Sequence, residues 1–255
     1  MGGLGNQMFQ IAAATSLALD NNDKCAFSLQ NHHLPLQGNK VVNYRNNIFR
    51  NVDLRNEELF HSQTFIEPSH SYSPIPYISG MMLVGYFQSE KYFASNKDYI
   101  REMLQASQET KEYLRRKYHS IFTSGKTIVS LHVRRGDYLK LQDYHYVCPL
   151  SYYQKSMEWF EDAVYVVFSD DIMWCKVNLP LDSNCVFIED NPDQEDLYLM
   201  SLCDHHIIGN SSFSWWGAWL NASTDKKVIA PQTWFGPRNA DKDTKDLYCD
   251  GWVRL

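Results

Sequence analysis

The second half of the chain alternates short apolar segments with amphipathic segments, and this alternation restricts the folds open to it. The apolar segments predict strands at 127–133, 165–168, 185–188, 206–208 and 227–230. The amphipathic segments predict helices at 151–161, 192–204 and 212–220. Strands that are almost wholly apolar and separated by helices are typical of a parallel sheet covered on both faces. The sequence therefore predicts an α/β protein with a parallel sheet in its C-terminal half.

The first half of the chain has a weaker pattern. Residues 6–21 predict a helix, 24–29 predict a strand, and 89–118 predict a mostly helical region. Residues 31–80 are rich in Asn, His, Pro and Tyr and predict loops. Residues 119–126 are the best candidate for a linker. We therefore divide the chain into an N-terminal domain at 1–122 and a C-terminal domain at 123–255.

Composition and charge exclude several classes of protein. The 24 Lys and Arg residues against 30 Asp and Glu give a net charge of −6, and no basic run favours nucleic acid. Hydrophobic residues make up 44% of the chain, too many for a disordered protein. Apolar runs fall short of the roughly 18 residues of a membrane span, and the first residues do not resemble a secretory signal. We therefore expect a cytoplasmic protein whose six cysteines are reduced and mostly buried.

Polar loops follow four of the predicted strands. They comprise residues 134–138, 169–171, 189–192 and 209–212. In parallel sheets, ligands bind at the carboxyl ends of the strands. These loops are also the most polar and charged parts of this half and the richest in small residues. The coincidence favours a nucleotide-sized ligand at this edge of the sheet.

The segment HVRRGDY, at 132–138, ends a buried strand with two adjacent arginines. Such charges are costly there unless an anionic ligand or acidic side chains compensate them. An arginine presents a planar set of donors that suits phosphate. Gly136 allows close approach of a ligand, and Asp137 can orient one guanidinium. The alternative is that Arg135 simply pairs with Asp137 and has no further role.

The segment GNSSFS, at 209–214, passes from a strand into the N-terminus of a helix. Exposed amide groups, hydroxyls and the positive helix end make such a turn a natural seat for phosphate. The alternative is an ordinary serine helix cap. The tryptophans that follow, Trp215, Trp216 and Trp219, are predicted to lie in the core.

Other polar segments leave more roles open. Asp170 and Asp171 can bind a divalent ion, accept hydrogen bonds from a base or ribose, or cap the next helix. Residues 203–206 (CDHH) straddle a helix-strand junction where side chains diverge, so we predict no metal site there. The glycine-rich turn at 2–7 opens a helix. It lacks both the lysine of a P-loop and the third glycine of a dinucleotide fingerprint.

Five motifs together resemble the α-1,2-fucosyltransferases of glycosyltransferase family 11. They are GGLGNQMFQ at 2–10, GYFQSEKYF at 85–93, HVRRGDY at 132–138, FSDD at 168–171 and EDLYLMSLCDHHIIGNSSFSWWGAWLN at 195–221. They occur in order over nearly the whole chain, and His145 and Cys148 also fit the family's pattern. The HVRRGDY and NSSFSWWGAWLN blocks are the most specific.

The resemblance implies a GT-B-like fold, with two Rossmann-like domains facing a cleft. The N-terminal domain would lie on the acceptor side, and the C-terminal domain would bind GDP-fucose. The implied reaction moves L-fucose to the 2-hydroxyl of a galactose-type residue, with inversion and without a cofactor or bound metal. The implied acceptor is a galactose-terminated or lipid-linked glycan, which is compatible with peripheral contact at the inner face of a bacterial membrane.

The resemblance also implies roles for individual residues. Arg134 is the expected partner of the β-phosphate, and Asn6 matches a position beside the reacting centre, so these two are the candidate catalytic residues. The expected donor-binding residues are His132, Arg134, Asp170, Asp171, Ser211, Ser212 and Phe213. Gly3, Gly5, Gly136 and Asp137 are expected to support the site.

One departure from the family keeps two alternatives open. The family usually has an apolar strand before GGLGNQ, whereas this sequence starts at the turn. It leaves open whether the chain is an active fucosyltransferase or a catalytically impaired nucleotide-sugar-binding protein that lacks its first strand. A GT-B transferase that uses another donor is the third interpretation.

Overall fold

The computed structural model describes residues 2–29, 40–179 and 184–255, and the chain forms two compact units. The N-terminal unit comprises Met1–Gln105 with Lys242–Cys249, and the C-terminal unit comprises Ala106–Asp241 with Asp250–Leu255. The division after Gln105 falls earlier than the boundary predicted at residue 122. The segment 119–126, predicted as a linker, lies within the C-terminal unit and contains the short helix His119–Phe122.

The N-terminal unit combines helices with two short parallel strand pairs. Its elements are α1 (Leu4–Asp20), β1 (Phe27–Ser28), β2 (Leu54–Arg55), β3 (Gln63–Ile66), β4 (Met81–Val84) and α2 (Lys97–Leu104). Strand β1 pairs with β2, and β3 pairs with β4, both in parallel. Short 3₁₀ turns at Val41–Tyr44, Glu90–Tyr92 and Ala94–Asn96 connect these elements.

Helix α1 forms the core of the N-terminal unit. Met8, Phe9 and Ala12 are completely buried. The ring of Phe9 lies 6.2 Å from that of Phe93, which the 3₁₀ turns place against the helix. The turn that precedes α1 needs glycine at position 2, where φ is +78°.

The C-terminal unit contains the larger sheet and most of the helices. Its elements are α3 (Gln108–Lys117), α4 (His119–Phe122), β5 (Thr127–Val133), α5 (Leu150–Met157), β6 (Ala163–Ser169), α6 (Ile172–Asn178), β7 (Asn184–Phe187), α7 (Asp193–Ser201), β8 (His205–Ile207), α8 (Ser212–Leu220), β9 (Val228–Ala230) and β10 (Val253–Arg254). None of the helices in the described ranges has the length and apolar composition needed to span a bilayer.

The six strands of this sheet lie in the order β10-β9-β8-β5-β6-β7, and every neighbouring pair is parallel. The chain builds outward from β5 through β6 to β7, then returns to the other side of β5 with β8. The strand order therefore reverses between β5 and β8, which is the topological switch point of a doubly wound sheet. The predicted α/β class and the parallel sheet of the C-terminal half are confirmed.

Burial explains why the C-terminal half was the more predictable. Strand β5 is buried from Ile128 to its end, so its sequence is continuously apolar except for a serine and a histidine. Trp215, Trp216 and Trp219 are at most 2% exposed, which confirms their predicted place in the core. Strand β5 and helix α8 have the predicted bounds. All six cysteines are free thiols, three of them buried.

Several short elements were not predicted. Strands β2 and β3 lie in the region 31–80, which we predicted to be loops, because strands of two and four residues are too short to show a periodic pattern. Strand β4, helix α6 and strand β10 were also missed. The predicted strand at 24–29 is reduced to β1. Part of the region predicted as loops, residues 31–39, lies outside the described residues.

A buried polar cluster joins β5, β8 and the end of α8. The imidazole of His206 is completely buried, with Nδ1 2.8 Å from Ser130 Oγ and Nε2 3.0 Å from Asn221 Nδ2. Burial, reinforced by Lys226, lowers the pKa of His206 well below its usual value. The folded protein therefore holds His206 neutral, whereas the unfolded chain protonates it below a pH of about 6.5.

This difference predicts a pH dependence of stability. As pH falls below about 6.5, the unfolded state takes up a proton at His206 that the folded state does not, so the free energy of unfolding decreases. The contribution approaches about 1.4 kcal/mol per pH unit. Chemical denaturation between pH 7.5 and 5 should show that the free energy of unfolding changes less steeply with pH in His206→Gln than in the wild type. If the free energy of unfolding of His206→Gln varies with pH as steeply as that of the wild type, the assignment is contradicted.

Candidate active site

Arg134 follows the last residue of β5, and two carboxylates fix its guanidinium. Its Nη2 lies 2.6 Å from Asp137 Oδ1, and its Nη1 lies 2.9 Å from Asp170 Oδ2. Asp170 follows β6, the strand beside β5, so the parallel sheet brings the two side chains together. The Arg134 side chain is 33% exposed, so this fixed cation is open to a ligand.

Arg135 is held by different groups. Its Nε donates to Asp171 Oδ2 at 3.0 Å, and its backbone N–H donates to Asp170 Oδ1 at 2.9 Å. The guanidinium carbon lies 4.0 Å from the ring centroid of Trp174, a cation–π contact. The alternative in which Arg135 pairs with Asp137 is therefore wrong, because Arg134 occupies Asp137 instead.

Among the roles left open for the two aspartates, the structure shows helix capping by Asp171. Its Oδ1 accepts the backbone N–H of Trp174 at 3.3 Å, in the first turn of α6. Both carboxylates also hold arginines. Reading of guanine or ribose by either residue stays a prediction.

Gly136 provides the space that Asp170 needs. A Cβ atom at this position would lie 2.5 Å from Asp170 Oδ2, closer than nonbonded atoms can approach. The glycine therefore lets the loop after β5 lie directly against the carboxylate that holds Arg134. In this structure its close approach is to a protein carboxylate.

His132 is the second-to-last residue of β5 and is 6% exposed. Burial, followed by the nearby Arg134, lowers the pKa of His132 to about 3, so the ring is neutral at physiological pH. Its ring centroid lies 5.8 Å from that of Phe213. A methyl group placed on Gly209 would lie 3.5 Å from His132 Nδ1. Among the described residues, this Nδ1 has no hydrogen-bond partner.

Helix α8 begins beside this histidine. Ser211 is the N-cap, and its Oγ accepts the backbone N–H of Phe213 at 3.3 Å, as the serine-cap alternative requires. Ser212 is the first helical residue. The N-terminus of α8 therefore lies at the switch point, where its positive end and amide groups favour an anion.

Asn210 fixes the loop between β8 and α8. Its side-chain Nδ2 donates to the backbone carbonyls of Tyr146 at 2.6 Å and Trp234 at 2.8 Å. The backbone carbonyl of Asn210 accepts a hydrogen bond from Tyr138 Oη at 3.2 Å. The Tyr138 ring stacks on His145, with centroids 4.2 Å apart and planes 8° from parallel. These contacts connect the loop after β5 to the loop before α8.

Some of these supporting residues were not predicted from the sequence. Neither Trp174 nor Asn210 was given a role of its own, although Asn210 lies in both the phosphate-seat segment and the family block at 195–221. His145 was recognised only through the family resemblance. The position of Asn210 in the turn between Gly209 and Ser211 could have indicated its role. A side-chain amide buried in such a turn needs hydrogen-bond partners, and here it donates to backbone carbonyls.

Asn6, Gly3 and Gly5 belong to the N-terminal unit. Gly3 is the N-cap of α1, Gly5 is buried, and Asn6 is the third residue of the helix. Gln88 Nε2 donates to Asn6 Oδ1 at 2.6 Å. A Cβ atom at Gly2 would lie 2.3 Å from Asn6 Nδ2, so the Asn6 amide folds back over the turn that opens the helix.

No metal-binding group is assembled in the part of the chain that the structure describes. Within these ranges, no three His, Cys, Asp or Glu side chains are placed so that they could hold an ion together. In the segment 203–206, His206 is committed to the buried cluster with Ser130 and Asn221, and Cys203 is a buried thiol.

Comparison with known proteins identifies the family. The whole sequence, residues 1–255, matches glycosyl transferase family 11. The chain therefore belongs to this family, as the five motifs predicted.

Three proteins with similar sequences carry names that indicate different activities. The O-antigen biosynthesis glycosyltransferase WbnK of Escherichia coli is 31% identical, over all of this chain and 98% of its own length. An alpha-1,2-colitosyltransferase of Escherichia coli is 32% identical, over all of this chain and 96% of its own length. The rabbit (Oryctolagus cuniculus) galactoside alpha-(1,2)-fucosyltransferase 2 is 25% identical, over 86% of this chain and 65% of its own length.

The contact between Gly136 and Asp170 yields a prediction. In Gly136→Ala the added methyl group displaces Asp170 from Arg134, which should lower the free energy of unfolding by about 1–3 kcal/mol. Asp170→Ala removes the same contact with Arg134, so its free energy of unfolding should also fall. Denaturant unfolding of the two variants would test this. Wild-type stability in Gly136→Ala would contradict it.

Proposed function

We propose that this chain transfers L-fucose from GDP-fucose to the 2-hydroxyl of a galactose-type residue, with inversion and without a bound metal. The observation that carries the proposal is the fixed guanidinium of Arg134 at the switch point, beside the N-terminus of α8. Membership of glycosyl transferase family 11 and the similarity to named α-1,2-fucosyltransferases support the donor and the linkage.

The chemistry requires charge stabilisation on the departing diphosphate. The anomeric carbon passes through an oxocarbenium-like state while GDP leaves, so negative charge grows on the β-phosphate. Nη1 and Nη2 of Arg134 each face one carboxylate, and each nitrogen carries a second hydrogen that can be donated to phosphate oxygens. The positive end of α8 adds to this field. Because these groups stay in place during the reaction, they favour the transition state at little reorganisation cost.

His132 has a different role in this proposal. A neutral imidazole buried beside Gly209 adds no charge, and its Nδ1 has no exposed surface, so in this proposal His132 supports the donor-binding loops from inside the sheet. Ser211, Ser212 and Phe213 seat the diphosphate at the start of α8. An inverting transfer needs a single displacement, so no enzyme nucleophile is required. The acceptor oxygen bonds to the anomeric carbon as the bond to the diphosphate breaks, and the proton of the acceptor hydroxyl passes to solvent.

The N-terminal unit supplies the acceptor side in this proposal. Asn6 is not basic enough to take a proton at neutral pH, so its amide orients the acceptor hydroxyl. The relatives named for O-antigen biosynthesis and for galactosides support a glycan acceptor. A lipid-linked glycan would bring the enzyme into peripheral contact with the membrane surface.

The proposal predicts that Arg134 is essential for transfer. Transfer from GDP-fucose to lactose, N-acetyllactosamine or a β1,3-linked galactoside should proceed in EDTA, and Arg134→Ala should lower kcat/KM by a factor of about 10² or more. Arg134→Lys should recover little, because lysine lacks the planar pair of donors. Arg116→Ala, an exposed arginine of α3, is the matched control and should retain full activity. Loss of wild-type transfer in EDTA, or full activity in Arg134→Ala, would contradict the proposal.

Transfer of colitose is a second candidate function. The 32% identity to an alpha-1,2-colitosyltransferase over the whole chain favours it specifically. Competition between GDP-linked fucose and GDP-linked colitose for one acceptor decides between the donors. The main proposal expects a higher kcat/KM for fucose, and a preference for colitose would replace it with the second candidate.

A further inference from the structure

The motif GYFQSEKYF, at 85–93, forms a turn that contacts helix α1 through the side chain of Gln88. Gln88 Nε2 donates to Asn6 Oδ1 at 2.6 Å, across 82 positions of the chain. Both side chains are half-buried, so water competes with this bond only in part. We propose that Gln88 is a positioning residue for Asn6. Its amide donates to the Asn6 carbonyl and so fixes the orientation of the Asn6 amide, including the direction of the N–H donors that the proposed function directs at the acceptor.

The backbone just before Gln88 is strained, and a carboxylate holds it. Phe87 has φ +52°, in the left-handed region that bulky residues rarely adopt. Glu67 Oε2 accepts the backbone N–H of Phe87 at 3.0 Å and that of Tyr86 at 2.7 Å. Strain of this kind persists only where the surroundings determine the conformation, and it concentrates at functional sites.

Glu67 is itself fixed by a second set of contacts. Its Oε1 accepts from Tyr92 Oη at 3.1 Å, and Tyr92 Oη in turn accepts the backbone N–H of Ser73 at 3.2 Å. The Tyr92 ring lies edge-on to the buried ring of Phe87, with centroids 5.2 Å apart. The carboxylate therefore has no freedom to release the turn without breaking several bonds.

The other residues of the motif fit the same purpose. A Cβ atom at Gly85 would lie 2.4 Å from Glu67 Cβ, so only glycine lets the strand end so close to this side chain. Ser89 is completely buried and caps the 3₁₀ turn by accepting the N–H of Lys91 at 3.2 Å. Phe93 then packs on Phe9 of α1, the helix that carries Asn6. The motif thus docks onto α1 and places one amide group on Asn6.

The inference deepens the proposed function and rests on it for the role of Asn6. If Gln88 acts through Asn6, removing Gln88 matters only while Asn6 is present. A double-mutant cycle tests this dependence directly. The variants are Gln88→Ala, Asn6→Ala and the pair, with kcat and KM for acceptor and donor measured for each.

We expect Gln88→Ala to lower kcat about tenfold or more in the wild-type background, and no more than about twofold in the Asn6→Ala background. Gln88→Glu has the same size but offers no donor, so it should lose as much activity as Gln88→Ala. The donor KM should stay unchanged in all of them. Gln108→Ala removes a matched glutamine, whose amide donates to Glu112 on α3 at 2.9 Å, and should retain full activity. Equal fold losses in both backgrounds would overturn the inference.

A second readout keeps the inference independent of the proposed reaction. The side-chain amide resonances of Asn6, assigned from their absence in Asn6→Ala, should shift in Gln88→Ala and stay in place in Gln108→Ala. A wild-type protein without any transfer activity would contradict the proposed function alone, whereas unmoved Asn6 resonances in Gln88→Ala would overturn the role of Gln88.

Discussion

The reversal of strand order between β5 and β8 is the constraint on which the C-terminal unit depends. Because all neighbouring strands are parallel, their carboxyl ends meet at one edge, and the reversal opens a crevice there. The loop after β5 supplies Arg134, the loop after β6 supplies Asp170, and β8 leads into α8. Because β6 is the neighbour of β5 in this order, Arg134 and Asp170, which are distant in sequence, meet at this end of the sheet.

Charge balance explains how the site keeps an arginine available. Three carboxylates surround two guanidinium groups, so both cations are compensated before any ligand arrives. The pairs fix where the guanidinium groups point, at the cost of weakening the attraction for a diphosphate. In the proposed donor site, the N-terminus of α8 and the partly exposed side of Arg134 would restore that attraction. In this account, orientation and attraction are supplied by different groups.

Much of this site could be predicted from sequence because it follows buried strands. Because β5 and β6 are buried almost throughout, their sequences are apolar runs that clearly predict strands. The polar residues of the candidate site then fall in the loops that follow these strands. Asp137, three positions from Arg134, was predicted to orient a guanidinium, whereas the pairs with Asp170 and Asp171 could not be predicted, because they depend on β6 lying beside β5. In the N-terminal unit the strands are too short to show a period. Glu67 was missed since its role comes from contacts with a motif about twenty positions away.

We propose that the fixed guanidinium of Arg134 serves the departure of GDP during an inverting transfer of fucose to the 2-hydroxyl of galactose. The most direct measurement is NMR analysis of the product formed from GDP-fucose and a galactose-terminated acceptor. The account predicts one new fucose linked to the 2-hydroxyl of galactose, with anomeric configuration opposite to that of the donor. A folded protein that binds GDP but neither transfers nor hydrolyses the sugar would contradict it, as would a product that retains the donor's configuration.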